Sequence, residues 1–183
     1  MSLLSEADVG MARSGNRHTI RVLTAASGEG YVYGVEFVEL DLGSAREMRE
    51  HAGERNACGF HGNAVATALG IESALLITLE ESGFWFPGYR GAQRRIGGRI
   101  AVAAQLAGSP KPLWVVSVHL ESKTDPGDRQ AQMANLLRAL DALPPDAALV
   151  IGGDFNAKAL PRGDEERRLV LEVPERHEPL FAD

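Results

Sequence analysis

Four polar side chains at the ends of apolar runs could do chemistry together. Asp154 and Asn156 follow the run Leu149-Val150-Ile151-Gly152-Gly153, with Phe155 between them. A carboxylate and a carboxamide two residues apart share one side of an extended segment, where they can hold a water, a metal ion or a phosphate oxygen. His119 ends the run Leu113–Val118, and an imidazole there can donate to a phosphate oxygen or handle a proton. Glu6 follows Leu3-Leu4-Ser5 and offers the hard oxygen that Mg²⁺ prefers. Together they suit attack of water on a phosphoester. Each also has a plainer reading. Gly-Gly-Asp-Phe-Asn is made of ordinary turn residues, Glu6 suits a surface, and His119 suits a backbone carbonyl partner.

Positioning these groups requires strands. Tyr31–Leu40, Asn63–Leu69, Ala74–Leu79, Arg99–Leu106, Leu113–Leu120 and Ala148–Ile151 all read as strands, and the chain begins as the tail of one. Met133, Leu136, Leu137, Leu140 and Leu143 recur at helical spacing, which predicts a helix over Pro126–Leu143, stopped by Pro144-Pro145. A second helix is predicted from an Asn16 cap to about Ala26, and Ser44–His51 reads as a short surface helix or loop. Strand, helix and strand in succession place the chain in the α/β or α+β class. Gly83–Gly98 reads as an exposed loop, whose Phe84, Trp85, Phe86 and Tyr89 suit either stacking on a base or packing. Arg90, Arg94, Arg95 and Arg99 are candidates for holding phosphate, or form a solvated basic stretch.

The chain has 183 residues, the size of one domain with a real core. Its formal net charge of −6 gives no support for a broad nucleic-acid or membrane surface, although bound cations can supply positive charge locally. The single cysteine, Cys58, excludes an internal disulfide and fits a reducing compartment, where a buried or half-buried thiol is expected. No apolar run reaches the length of a membrane-spanning helix, and Met1–Gly10 lacks the pattern of a signal peptide, so the expected location is cytoplasmic.

Several segments, taken in order, resemble the endonuclease/exonuclease/phosphatase family, whose fold is shared with DNase I. They are Leu4-Ser5-Glu6-Ala7-Asp8, Gly62-Asn63-Ala64-Val65, Arg95-Ile96-Gly97-Gly98-Arg99, Ser117-Val118-His119-Leu120-Glu121-Ser122, the pair Arg129 and Gln132, and Gly152-Gly153-Asp154-Phe155-Asn156. The resemblance runs from Leu3 to about Lys158. It implies a four-layer α/β sandwich and Mg²⁺- or Mn²⁺-dependent hydrolysis of a phosphoester in a nucleic acid or a small phosphorylated molecule. Glu6 matches the metal-binding glutamate, and Asp154 the aspartate that positions or activates water. Asn156 matches the asparagine supporting that aspartate and the phosphate, and His119 the histidine near the phosphate. Asn63, Arg95 and Arg99 fall in motifs that can contact substrate, with a structural role the first expectation for Asn63.

Departures from the family pattern are specific. An initial strand carrying a metal-side Asn is missing, Ser5 stands where Gln is usual, and no closing Asp-His pair appears; His177 lies in Glu175-Arg176-His177-Glu178, outside any strand pattern. The expectation is a single domain over 1–183, incomplete at both ends, with open sheet edges that favour self-association. The alternative to an enzyme is a catalytically impaired remnant or binding module of the same fold.

Overall fold

The computed structural model describes residues 1–80 and 93–156. Phe84, Trp85, Phe86, Tyr89, Arg90 and His177 lie outside them.

Among the described residues, eight strands form two four-stranded sheets. β1 (Ser2–Val9), β2 (Gly30–Glu39), β3 (Phe60–Thr67) and β5 (Arg95–Gly97) make one, in the order β1-β3-β2-β5. β4 (Ile71–Thr78), β6 (Ile100–Leu106), β7 (Leu113–His119) and β8 (Ala148–Asp154) make the other, in the order β4-β6-β7-β8. Within the second sheet only β7 and β8 run parallel, because α3 (Pro126–Leu140) carries the chain between them. The sheets pack face to face over Val65, Ile100, Val102, Ala104, Leu106 and Val115. Outside them, α3 covers the second sheet and α1 (Thr19–Ser27) the first. The result is the expected four-layer sandwich.

A strand covered on both faces must be apolar on both, and β7 is. Trp114, Val116 and Val118 meet Met133, Leu136 and Leu140 of α3, whereas Leu113 and Val115 face the other sheet. This central position explains the unbroken run Leu-Trp-Val-Val. α3 starts at Asp125, whose carboxylate accepts the Asp128 N–H at 2.9 Å, with Pro126 in the first turn. It stops at Leu140, three residues before the expected end, yet Leu143 still reaches the core through a turn in which its N–H bonds Leu140 C=O.

Two local expectations are corrected. α1 is capped by His18, whose Nδ1 accepts the Arg21 N–H at 3.3 Å; Asn16 instead adopts φ 55° and holds the loop at Arg55 and Ala57 with both ends of its amide. Cys58 is exposed, because its backbone N–H is tied to Gly10 C=O at 3.0 Å and the thiol is left outside. The short helix α2 (Ala45–Glu50) does form, locked by a capping box in which Ser44 and Glu47 bond each other's backbone. No helix of the described residues is long and apolar enough to cross a membrane.

Candidate active site

The site is made by two β-bulges. Pairing of β1 with β3 slips between Leu4, opposite Ala64, and Ala7, opposite Gly62. Pairing of β2 with β3 slips between Val35, opposite Gly62, and Phe37, opposite His61. Each slip inserts one extra residue on the strand beside β3, and a bulge re-aims a side chain. On β1 the slip takes Glu6 into the left-handed region at φ 57°, which costs a residue with a Cβ energy. Its carboxylate turns outward, 67 % exposed, into a cleft of about 270 Å³. On β2 it is Glu36 that falls in the slip, and its side chain turns inward and is fully buried.

His119 ends β7, two residues beyond Ser117. Ser117 Oγ donates to Leu4 C=O at 3.1 Å and Ser5 Oγ to Val118 C=O at 3.4 Å, which stitch β1 to the end of β7. The stitch brings His119 Nε2 to 3.9 Å from Glu6 Oε1. His119 is itself buried, with Arg99 Nη1 2.8 Å and Glu36 Oε2 3.3 Å from Nδ1. Arg99 Nη1 also lies 3.2 Å from Nε2, so the guanidinium reaches both ring nitrogens, and Nε2 is the one on the side of Glu6.

Asp154 ends β8 as the register partner of His119 on the neighbouring strand, and Leu120 N–H bonds Asp154 C=O at 2.9 Å. The two glycines before it permit this approach. A Cβ on Gly153 would stand 2.0 Å from Val118 O, at a φ of 136°, and one on Gly152 would stand 2.7 Å from Leu3 Cδ1. The extended path does not continue to Asn156, which has φ 49°. Asp154 and Asn156 are therefore not two side chains on one strand face. Asn156 N–H instead bonds Asp154 Oδ1 at 2.8 Å, and Asn156 Nδ2 donates to Leu120 C=O at 2.8 Å. The segment is a turn, and the turn is what holds the exposed carboxylate of Asp154 beside the end of β7.

The remaining sequence candidates divide. Arg95 and Arg99 both line the cleft with Glu6, Asp8, Arg13, Phe37, His61 and His119. Arg95 stacks over Phe37, its Cζ 4.4 Å from the ring centre, with Nε 3.3 Å from Glu39 Oε2. Burial pushes the Glu39 carboxyl up and the Arg95 guanidinium down. Arg99 is buried between Glu36 and Glu121, its Nε 3.1 Å from Glu121 Oε2. Burial raises the Glu121 carboxyl, but the Arg99 charge together with hydrogen bonds from the Lys123 N–H and from Arg99 brings the net direction down. Arg99 is thus committed to two carboxylates and to His119. Asn63 lies fully buried away from the cleft, its Nδ2 donating to Ile100 C=O at 2.9 Å across the two sheets.

The sequence reading gave no role to Asp8, Arg13, His61 or Glu36. Asp8 Oδ1 lies 2.8 Å from Arg13 Nη2 and 2.7 Å from His61 Nδ1, and Arg13 Nη1 lies 2.9 Å from Glu47 Oε1. Burial alone would raise the Asp8 carboxyl; hydrogen bonds from Arg13 and His61 overcome that and hold it far below the usual range. The available signal was Glu36 and Glu39 in an otherwise apolar strand, since a charge at a core position requires a partner.

Among the described residues, no group of three or more His, Cys, Asp or Glu side chains forms a cage for a metal ion. The donor chemistry of Glu6 still fits Mg²⁺, which commonly takes one or two carboxylates and keeps several waters. An exposed carboxylate at a cleft mouth leaves room for those waters.

Two packed sheets with outer helices, and a polar cleft lined from β1, β2, β3, β5 and the end of β7, define a DNase I-like sandwich. Solved structures bear this out: the chain has the fold of endonuclease/exonuclease/phosphatase proteins. It superposes on such a protein from Beutenbergia cavernae with a TM-score of 0.55 at 18 % identity, covering 87 % of this chain and 39 % of that one. For the human Nocturnin catalytic domain the TM-score is 0.53 at 19 % identity, over 82 % of this chain and 50 % of that one. For ANGEL2, a 2′,3′-cyclic phosphatase, it is 0.53 at 17 % identity, over 86 % and 40 %. The chain therefore spans half or less of the length of these structures. No protein-family model matches the sequence, and no curated protein matches it closely enough to count as a relative.

Proposed function

We propose that the chain is a Mg²⁺- or Mn²⁺-dependent phosphoester hydrolase of the nuclease or phosphodiesterase type. The observation that carries this is the meeting of Glu6 and His119 at 3.9 Å in the cleft, with Asp154 in register beside His119. Glu6 would hold the ion, which when bound polarises the phosphoryl oxygens and neutralises developing charge. Asp154 orients the attacking water and takes its proton. Asn156 keeps Asp154 in place through its backbone N–H. His119 presents Nε2 to a phosphoryl oxygen, its ring held by Arg99, which Glu36 in turn anchors. Arg95 and Arg99 add positive potential to the cleft wall, with Arg99 acting through His119. Asn63 fastens the two sheets. Likeness to a 2′,3′-cyclic phosphatase supports the phosphoester class of substrate.

The binding-module alternative draws on one observation, the missing cation cage among the described residues. Hydrolysis of bis(p-nitrophenyl) phosphate separates the two. The proposal expects turnover that needs Mg²⁺ and falls by about 10²-fold or more in Asp154→Ala. A well-folded chain with no turnover overturns it.

A further inference from the structure

The roles proposed above leave unused a second imidazole in the same cleft. His61, on β3, is the register partner of Asp8 on β1 and of Phe37 on β2. Its Nδ1 lies 2.7 Å from Asp8 Oδ1 and 2.9 Å from Arg13 Nη2. Arg13 Nη2 already donates to that same Asp8 oxygen at 2.8 Å. The shorter histidine contact is therefore Nδ1–H donating to the carboxylate. The ring packs on Phe37 with centroids 4.6 Å apart. Position and tautomer are both fixed. Nε2 makes no hydrogen bond among the described residues, and the side chain lines the cleft with Glu6 and His119. An imidazole anchored to a carboxylate through one nitrogen and facing a cleft with the other is built to handle a proton.

We infer that His61 is a further substrate-contacting acid–base residue, with Nε2 supplying the proton to the oxygen that leaves phosphorus and Asp8 as its positioning residue. The inference rests on the phosphoester reading above. Water oxygen forms the new bond to phosphorus, and its proton passes to Asp154. The ester P–O bond breaks, and its electron pair stays on the leaving oxygen, which takes the Nε2 proton of a doubly protonated ring and leaves the neutral Nδ1–H ring on Asp8. The products are the phosphate and an alcohol, and solvent then reloads Nε2 and clears Asp154. Several charges face this ring. Asp8 on β1 and Arg13 touch its Nδ1, Glu6 lines the cleft with it, Glu47 on α2 pairs with Arg13, and Arg95 stacks on the same Phe37.

The test uses the full chain and two diesters of one phosphate, with p-nitrophenol or a simple alcohol as leaving group. Nitrophenolate leaves without a proton, whereas an alkoxide needs one. His61→Gln is expected to slow the alkyl ester by about 100-fold and the nitrophenyl ester by less than about tenfold. Equal losses on the two esters overturn the proton role. Independently of turnover, titration of the parent chain with inorganic phosphate is followed by NMR of the histidine rings. The His61 signals should move while those of His18 and His51 stay. His61 signals that stay fixed where those of His119 move overturn the contact. A parent chain that cleaves neither ester overturns the phosphoester reading, and the phosphate titration then decides the His61 contact by itself.

Discussion

Replacing Arg99 by Met tests the electrostatic centre of the sandwich. Arg99 is 4 % exposed and shared by two carboxylates whose side chains are 0 % and 6 % exposed, Glu36 and Glu121. Methionine fills similar space without charge, so Arg99→Met leaves two buried carboxylates with their shared cation gone. Removing one partner of a buried ion pair costs about 3–5 kcal/mol. For a chain of this size each kcal/mol lowers Tm by about 2–4 °C, so the expected drop is about 6–20 °C. Adding Glu36→Gln should return part of the loss, because one of the stranded charges is then removed. The control is Arg46→Met, which breaks the exposed pair with Glu50 and should leave Tm unchanged. Differential scanning calorimetry at pH 7 reads all four proteins. An Arg99→Met melt indistinguishable from that of Arg46→Met refutes the reasoning.

The Asp8–Arg13–Glu47 chain makes stability depend on acid. Burial opposes ionisation of Glu47, but bonds from Ser44 and Arg13 prevail and lower it from 4.5 to about 2, and Asp8 moves the same way. A depressed carboxylate stabilises the fold above its unfolded value and loses that contribution as pH falls through its folded one. Urea midpoints should therefore fall as pH drops from about 4.5 toward about 2, and fall less steeply in Arg13→Leu; parallel profiles would count against the network. Gly153→Ala drives a Cβ to 2.0 Å from Val118 O at a φ of 136°, so it should detach the end of β8 from β7. Amide exchange at Leu120, whose N–H bonds Asp154 C=O, should accelerate at least tenfold, and unchanged protection would show that the close approach is not needed.

Much of the fold could be read from the sequence because its strands are packed on both faces. Leu113–Val118 and Leu149–Ile151 are apolar runs for that reason, and α3 shows its buried stripe at clean helical spacing. His119 and Asp154 were legible as polar residues closing such runs, whereas Glu6, expected to close Leu3-Leu4-Ser5, lies inside β1. The bulges were not legible. A bulge leaves no composition signature, so nothing marks Glu6 and Glu36 as slipped residues until pairing with β3 shows the register. Arg99 looked like a free cation because its two carboxylates lie 63 and 22 residues away in the chain. Asp8 and His61 are 53 residues apart and meet only because β1 and β3 pair. The expected shared face of Asp154 and Asn156 failed at one dihedral angle, the left-handed φ of Asn156.

The central claim is that Glu6, His119 and Asp154 form one metal-assisted hydrolytic site. The most direct measurement is a Mg²⁺ titration of bis(p-nitrophenyl) phosphate hydrolysis by the parent chain and by Asp154→Ala, both with melts confirming the fold. Saturable Mg²⁺-dependent turnover is expected in the parent, with near-complete loss in Asp154→Ala at every Mg²⁺ concentration. Turnover that ignores Mg²⁺, or that survives Asp154→Ala intact, would contradict that claim.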